Sequence, residues 1–254
     1  MTTHRNGFFI TGTDTGVGKT VITAGLLGAL RRRGVDAVAI KPVQSGGVLR
    51  NKQLISEDAV FYSLVSNLSY DQRQLNPICL EPPLAPGIAA VEAGVSIKLN
   101  TMIDHYHWMS GRHRLILVEG AGGLLVPLVG YKVTVADLAL RIGLPLLVVA
   151  RPALGTINHT SLTVAYARSI GLEVAGIVIN GYNHHSPGRA EQTNPAAIEA
   201  MTGVPVLGLI PPVDGLRVEG EKPNPGDLVT VLEKYLDIDR LLAGKSRQAF
   251  NGVE

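Results

Sequence analysis

Residues 12–20 have the types and the spacing of a phosphate-binding loop. They read GTDTGVGKT and directly follow an apolar run. Small residues let consecutive backbone N–H groups turn toward phosphate oxygens, while a lysine reaches the β- and γ-phosphates and a Ser/Thr hydroxyl binds Mg²⁺. Lys19 and Thr20 supply these two groups, although the usual first glycine of the pattern is Thr13 here, one residue after Gly12. The segment predicts ATP or GTP binding over its alternative, a chance glycine-rich turn.

A second candidate group is the carboxylate of Glu119, at the end of another apolar run and before a glycine-rich turn, in the segment LILVEGAGG at 115–123. A carboxylate in that place can reach Mg²⁺ while the turn passes close to the phosphates. A glutamate that merely caps the turn is the alternative. Beside a phosphate loop, the metal role is favoured.

Two further charged residues could belong to the same site. Lys41 closes an apolar run and precedes the turn PVQSGG, and Asp58 opens the next helical pattern. A lysine at a strand's carboxyl end can neutralise charge on a transferring phosphoryl group, and the turn makes a solvated surface lysine the weaker interpretation. Asp58 fits equally a helix-start carboxylate favoured by the dipole and a second metal-linked acid.

The elements that must position these groups alternate along the chain. Apolar runs rich in Val, Ile and Leu, typical of strands covered on both faces, lie at 7–13, 37–43, 115–121, 144–151, 174–182 and 206–211. Helical patterns lie between them at 19–33, 56–66, 133–142, 159–170 and 194–201. This alternation predicts a doubly wound, mainly parallel α/β sheet with helices on both faces and ligands at the carboxyl ends of the strands.

Two stretches interrupt this alternation. Four prolines (Pro77, Pro82, Pro83 and Pro86) predict an irregular region at 72–111 until a helix resumes near Lys98. A second irregular stretch, 211–225, precedes a last helix at about 227–242 and a polar tail. Neither stretch has the composition of a flexible linker, so we expect one domain over residues 1–254, with 226–254 as its C-terminal helix and tail.

Composition narrows the class of protein. Of 254 residues, 46% are hydrophobic and 17% charged, which excludes global disorder. Lys and Arg number 23 against 21 Asp and Glu, a net charge of +2 that does not predict a nucleic-acid or membrane-surface partner. Cys79 is the single cysteine. The polar stretch before the first apolar run is short, and no apolar run could span a bilayer. We expect a cytoplasmic enzyme.

Together these segments resemble the dethiobiotin synthetases, the ATP-dependent carboxylase-cyclases of biotin synthesis. Segments 12–20, 41–46 and 118–123, Asp58, and the stretches GTINH at 155–159 and GIVIN at 176–180 stand in that family's order and spacing. The resemblance covers about residues 7–213. One block departs, because the family usually carries Ser-Pro-His where this chain reads LAPG at 84–87.

The resemblance implies roles for individual residues. Lys41 and Lys19 are implied as catalytic cations, and Mg²⁺ as a cofactor bound by Thr20, Asp58 and Glu119. Asn180 and residues 211–213 are implied at the adenine. The implied ATP site comprises Gly16, Val17, Gly18, Lys19, Thr20, Val21, Asp58, Glu119, Gly120, Ala121, Gly122, Asn180, Gly181, Pro211, Pro212 and Val213. The implied substrate contacts are Thr15, Lys41, Ser45, Gly155 and Asn158.

The resemblance also implies a reaction and an assembly. The implied reaction closes a cyclic urea from 7,8-diaminononanoate, CO2 and ATP, through a carbamate and a carbamic-phosphoric anhydride, with release of ADP and phosphate. The implied partners are these small molecules and a second copy of the chain, since residues 155–158 lie near the substrate's carboxylate end across a homodimer interface in this family. The family sheet has seven strands, one more than the apolar runs above.

The main rival is a partitioning or division-positioning ATPase, which has the same fold but uses ATP as a dimerisation switch with protein, DNA or membrane partners. Those proteins typically carry a signature lysine where this chain has Asp14, and their membrane-binding members end in a basic amphipathic helix. Acidic residues, among them Glu233 and Asp237, share the last helical pattern here. A corrin-ring amide ligase would need an additional glutaminase domain. The synthetase interpretation is therefore favoured.

Overall fold

The computed structural model describes residues 6–246. Its strands are β1 (Gly7–Gly12), β2 (Ala37–Ile40), β3 (Val43–Gln44), β4 (Val48–Arg50), β5 (Gln53–Ile55), β6 (Ile78–Cys79), β7 (Leu115–Glu119), β8 (Pro127–Val129), β9 (Val133–Thr134), β10 (Leu146–Ala150), β11 (Val174–Asn180) and β12 (Val206–Ile210). Its helices are α1 (Lys19–Arg32), α2 (Glu57–Ser66), α3 (Gln72–Leu75), α4 (Pro86–Glu92), α5 (Leu99–Ser110), α6 (Val135–Ile142), α7 (Thr156–Ser169), α8 (Arg189–Thr202), α9 (Leu228–Tyr235) and α10 (Ile238–Ser246).

Six of these strands form one parallel sheet in the order β12-β11-β10-β1-β7-β2, so the doubly wound prediction is confirmed. Each of the six apolar runs contributes one strand. The strand order extends from β1 in both directions, and right-handed crossovers then place helices on both faces. The implied seventh strand is absent from this sheet within residues 6–246. Three two-stranded ladders, β3-β6, β4-β5 and β8-β9, lie outside it.

Helix α1 lies at the centre of one face, with α2 packed on one side of it and α9 on the other. Its amino end follows the phosphate loop directly, and its last turn is basic, as the dipole favours. On α9, Leu228 and Leu232 are fully buried, and Leu232 lies against Gly25 of α1. Helix α1, which follows the phosphate loop, therefore packs against both α2 and α9.

The prediction for the proline-rich region was wrong in part, because this stretch contains α3, the short strand β6 and α4. Pro86 is the first residue of α4, a position that suits proline because its missing N–H needs no partner there. The next residue, Gly87, packs against the β8-β9 hairpin, and a Cβ there would lie 2.2 Å from the carbonyl oxygen of Gly130. The departure from Ser-Pro-His thus coincides with a backbone contact that leaves no room for a side chain.

The prediction of one continuous last helix was also wrong, because the chain turns between α9 and α10. Leu236 is extended and forms an antiparallel bridge with Gly208, and the Asp237 N–H donates to the Leu207 carbonyl at 2.8 Å. These contacts cover the free edge of β12, which would otherwise expose unpaired backbone groups. The predicted polar tail begins after Leu242, but residues 243–246 belong to α10, and the remainder lies outside the described residues.

Among residues 6–246, no helix combines the length and apolar character needed to cross a bilayer.

Candidate functional site

The carboxyl ends of three neighbouring strands bring the charged candidates together. The phosphate loop follows β1, Glu119 ends β7 beside it, and Lys41 follows β2 on the outer side of β7. Asp58 reaches the same place from the first turn of α2, which Ser56 caps by accepting a hydrogen bond from the Ala59 N–H at 3.2 Å. The structure therefore brings residues 12–20, 41, 58 and 119 together, and their roles in binding and catalysis stay a prediction.

The Lys41 ammonium is the centre of this cluster. It donates to Oδ2 of Asp58 and, at 3.0 Å, to Oε1 of Glu119. The same Glu119 oxygen accepts from the Thr20 hydroxyl at 2.9 Å. All these contacts lie at the bottom of the site, where the Glu119 side chain has no exposed surface. The arrangement holds one cation between two carboxylates directly beside the phosphate loop.

Burial and neighbouring charges shift the pKa values of the two lysines of the site in opposite directions. Burial alone would lower the pKa of Lys41, but the charges of Glu119 and Asp58 and the hydrogen bonds to them outweigh it, so this pKa lies above its ordinary value. Burial lowers the pKa of Lys19, an effect only partly offset by Glu119. Its ammonium donates to the Asp14 carbonyl at 3.1 Å, which places it across the phosphate loop.

The buried phenol of Tyr62 is a site residue that the sequence analysis missed. Its hydroxyl donates to Oε2 of Glu119, the oxygen that Lys41 and Thr20 leave free. Burial and the charges of Glu119 and Asp58 raise the pKa of Tyr62 well above its usual value, so the phenol keeps the proton it donates. Tyr62 lies four residues after Asp58 on α2, and this spacing on one helix face is the signal that could have identified it.

The phosphate loop is shaped by glycine and by a contact from β11. Gly18 has a φ of 94°, in the left-handed region, and stands immediately before α1. A Cβ on Gly18 would lie 2.1 Å from Nδ2 of Asn180, the group that donates to the Val17 carbonyl at 3.1 Å. Asn180 therefore lies against the loop. Val21, another residue of the predicted ATP site, lies in the first turn of α1.

The glycine-rich turn after Glu119 also lies beside the loop. The Gly12 N–H donates to the Gly122 carbonyl at 3.3 Å, and a Cβ on Gly122 would lie 3.5 Å from the Thr15 hydroxyl. The Gly120 N–H donates to the Ile10 carbonyl at 2.9 Å. This hydrogen bond fixes the start of the turn, and Ala121 after it, against β1. The two predicted turns thus form one surface.

The predicted adenine residues lie at the other end of the site. The Gly181 N–H donates to the carbonyl of Ile210 at 2.8 Å, which joins the ends of β11 and β12. Pro211, Pro212 and Val213 come directly after β12, and only Pro212 is exposed. They begin a segment without helix or strand, residues 211–226, which we call the strap.

The predicted substrate residues are more dispersed. Thr15 is exposed on the phosphate loop, and Ser45 is half-buried after β3. Gly155 precedes α7 with a φ of 92°, and Asn158 is exposed in the first turn of that helix. Within the described residues, the hydrogen bonds of the Lys41 cluster do not extend to Ser45 or Asn158. Their substrate contacts stay a prediction.

The residues present fit Mg²⁺ bound together with a nucleotide. Asp58, Glu119 and Thr20 offer oxygen donors, which Mg²⁺ prefers, but residues 6–246 contain no group of three or more His, Cys, Asp or Glu that could hold a metal alone. Mg²⁺ commonly uses one or two carboxylates and completes its shell with substrate phosphates and water. The donor set matches that pattern.

Curated relatives show which proteins this chain is similar to. A family model described as an AAA domain matches residues 6–219. The chain is 39% identical to the ATP-dependent dethiobiotin synthetase BioD of Bacillus velezensis, over 92% of this chain and 96% of that protein. It is 40% identical to the protein of that name from Bacillus licheniformis (93% and 95%) and 44% identical to that from Anoxybacillus flavithermus (81% and 91%).

Solved structures share the architecture at low identity. The cell division ATPase MinD of Pyrococcus furiosus aligns with a TM-score of 0.55 and 19% identity, over 96% of this chain and 98% of its own. A ParA family ATPase from Chlorobium tepidum aligns with a TM-score of 0.54 and 14% identity, over 97% and 99%. Such low identity establishes the fold and leaves the activity to be argued from the site.

Proposed function

The chain belongs to the family of ATP-dependent dethiobiotin synthetases, ATP-dependent ligases of biotin biosynthesis, and on that premise we propose that it closes the cyclic urea of dethiobiotin from 7,8-diaminononanoate, CO2 and ATP. The observation that carries the proposal is the Lys41 ammonium, buried between Asp58 and Glu119 at the edge of a phosphate loop. A site with this charge arrangement suits phosphoryl transfer to an anionic acceptor.

The chemistry proceeds in three balanced steps. One neutral amine adds to CO2 and loses a proton, giving a carbamate. A carbamate oxygen then attacks the γ-phosphorus of ATP, and the bond to the bridging oxygen breaks to release ADP. Finally the second amine attacks the carbonyl carbon of this mixed anhydride and loses a proton, the carbon–oxygen bond breaks, and phosphate leaves with one oxygen that came from CO2.

The protein's task in this scheme is to position reactants and neutralise charge. Carbamate and γ-phosphate are both anionic and repel each other, so the transfer needs cations between them. Lys19, across the loop, is proposed to bind the β- and γ-phosphates, and Lys41 the oxygens that gain charge during transfer. Gly16, Val17, Gly18 and Thr20 are proposed to present backbone N–H groups to the triphosphate.

Thr20, Asp58 and Glu119 are proposed to hold Mg²⁺ with the nucleotide, where the ion supplies charge neutralisation at the phosphates. Tyr62 holds Oε2 of Glu119, so only Oε1 is directed toward Thr20 and Lys41. Asn180, Gly181 and residues 211–213 are proposed at the adenine. Thr15, Ser45, Gly155 and Asn158 are proposed at the diamine.

We also propose a homodimer and a cytoplasmic location. Large apolar side chains are exposed after β7 and β10, two strands that flank β1 and end at the same edge of the sheet. They include Leu125 (62% exposed) and Leu154 (86%), and Leu162 is exposed on α7. Exposed apolar side chains near one edge are typical of an interface between proteins. Leu154 directly precedes Gly155, and Leu162 lies one turn after Asn158 on α7.

Phosphate release by the purified protein tests the proposal. With ATP, Mg²⁺ and bicarbonate, release is expected to require 7,8-diaminononanoate and to be accompanied by a product with the mass of the cyclic urea. Omission of bicarbonate and addition of a monoamine of equal length are the controls. ATP hydrolysis that ignores the diamine but responds to DNA, lipid vesicles or a protein would instead support the rival switch ATPase.

A further inference from the structure

One carboxylate oxygen outside the Lys41 cluster joins α2 to the nearby β4-β5 hairpin and to the strap, which is 163 positions away. Oε1 of Glu57, in the first turn of α2, accepts from Nη2 of Arg50 at 2.6 Å and from the backbone N–H of Gly220 at 2.8 Å. The Glu57 side chain is only 11% exposed. Hydrogen bonds to an ionised group in such a place are stronger than those between neutral groups. Glu57 therefore fastens the β4-β5 hairpin and the strap to α2.

This contact determines where the strap runs. The strap leaves β12, one edge of the sheet, and returns to α9 on one side of α1. Its tip at Gly220 contacts α2, which packs on the opposite side of α1. The ends of β12 and β2, the phosphate loop and the first turn of α2 all lie at the carboxyl edge of the sheet. The strap thus crosses the amino end of α1, beside the loop.

Hydrogen bonds within the strap link its tip at Gly220 to its first residues. A restraint on the tip therefore also restrains those residues. Arg217 and Asn224 exchange two backbone hydrogen bonds of 2.8 Å, and the Asn224 side chain donates to the Gly215 carbonyl at 3.0 Å. The Leu216 N–H donates to the Val213 carbonyl at 3.3 Å. Fixing Gly220 therefore restrains the path back to Pro211.

We propose that Glu57 is a positioning residue for the nucleotide, which holds the strap over the site so that residues 211–213 stay against the base. Arg50 orients the Glu57 carboxylate in this role. The inference rests on the proposed placement of adenine. Because the neighbouring residue Asp58 belongs to the Lys41 cluster, one turn of α2 then contacts both the phosphate end and the base end of the site.

Two substitutions separate the hydrogen bond from the charge. Glu57→Gln keeps a side-chain oxygen that can accept from Gly220 but removes the ion pair with Arg50, whereas Glu57→Ala removes both. Glu92→Ala, at the exposed end of α4, is the matched control for loss of a negative charge. The full chain is used throughout, and thermal unfolding verifies that each variant is folded.

The primary readout is ADP affinity by titration calorimetry, with hydrogen exchange of residues 215–224 measured on the ligand-free protein. Glu57→Ala is expected to weaken ADP binding about tenfold, the loss typical of one charge-assisted hydrogen bond, and to speed exchange at Gly220. Glu57→Gln, which keeps an acceptor for the Gly220 N–H but not the charge, is expected to show a smaller loss of both. In turnover assays the KM for ATP rises while kcat stays within about twofold, because the Lys41 cluster is intact.

Unchanged ADP affinity in Glu57→Ala would overturn the inference, and so would a loss confined to kcat, which would indicate a disturbed Asp58. Equal losses in Glu57→Ala and Glu57→Gln would overturn the role of the Gly220 hydrogen bond. The measurement of ADP affinity does not depend on the reaction that the enzyme catalyses. A wild-type protein that binds ADP but ignores the diamine therefore contradicts the proposed function and leaves this inference testable.

Discussion

At the phosphate end of the candidate site, the buried Lys41 ammonium donates to both Asp58 and Glu119, whereas at the proposed base end Pro212 is exposed and the strap is fastened to α2 through Glu57. Removing one member of a buried charge cluster leaves its partners uncompensated, which is costly. A surface segment held by a few hydrogen bonds loosens gradually instead. We therefore expect changes at the phosphate end to affect kcat and changes at the base end to affect nucleotide affinity.

The largest effect is expected at Lys41, and it tests whether the two ends of the site contribute differently to turnover and affinity. Lys41→Met should lower kcat by about 10²- to 10³-fold, the range for loss of one group that stabilises transition-state charge. ADP affinity should change far less, because Lys19 and the backbone of the phosphate loop are retained. Stopped-flow phosphate release and ADP calorimetry on the same preparation measure both quantities. Parallel losses of turnover and affinity would contradict the division between the two ends.

Tyr62→Phe sharpens the comparison by removing one hydroxyl from the phosphate end. Oε2 of Glu119 loses its donor in a buried place, so we expect the free energy of unfolding to fall by about 2 kcal/mol. The Mg²⁺ concentration for half-maximal turnover should rise by roughly tenfold, since outer-shell partners of ligands commonly have such effects. Denaturant titration and Mg²⁺ titration measure these outcomes, and Tyr131→Phe, at a tyrosine that is 74% exposed, is the control. An unchanged Mg²⁺ requirement would show that Tyr62 only packs.

Asn180→Ala affects the junction between the two ends. Its amide donates to the Val17 carbonyl at 3.1 Å, so the substitution removes one neutral hydrogen bond from the phosphate loop. We expect ADP to bind about fivefold more weakly, with kcat nearly unchanged, because a neutral hydrogen bond contributes about 1 kcal/mol. A large loss of kcat instead would place Asn180 functionally at the phosphate end.

The smallest effect is expected at the opposite edge of the sheet. Asp36, before β2, accepts from Nδ1 of His113, before β7, at 2.7 Å, and this hydrogen bond lowers the pKa of Asp36 below its usual value. Any stability it adds is therefore present at neutral pH and lost on acidification through that lowered pKa. Asp36→Asn should cost less than about 1 kcal/mol, as the carboxylate is half exposed, and leave kcat and KM unchanged. A kinetic effect would show that the site is not confined to the carboxyl edge.

Much of the phosphate end could be predicted from the sequence, because its information is local. The phosphate loop follows one apolar run, Lys41 and Glu119 each end another, and ends of neighbouring parallel strands meet at one edge. The identity of the strands followed from the same runs. The roles of these residues in binding and catalysis stay predictions that the experiments above address.

The base end could not be predicted in the same way. The contact between Glu57 and Gly220 joins residues separated by 163 positions, and Gly220 lies in the stretch 211–225, where the sequence shows no helical or strand pattern. The break between α9 and α10 depends on backbone groups of β12 that pair with the backbone of Leu236 and Asp237. Helical periodicity in the sequence gives no information on this tertiary contact. Local spacing therefore predicted which charged residues lie together better than it predicted the loops that surround them.

The path of one oxygen atom tests the central claim most directly. The protein is mixed with ATP, Mg²⁺ and the diamine in ordinary water, ¹⁸O-labelled bicarbonate is added, and phosphate is analysed before the label exchanges with solvent. We predict that phosphate carries one ¹⁸O, because a carbamate oxygen attacks the γ-phosphorus and leaves with it. Unlabelled phosphate would mean that water attacks ATP, as in a switch ATPase, and would contradict the account.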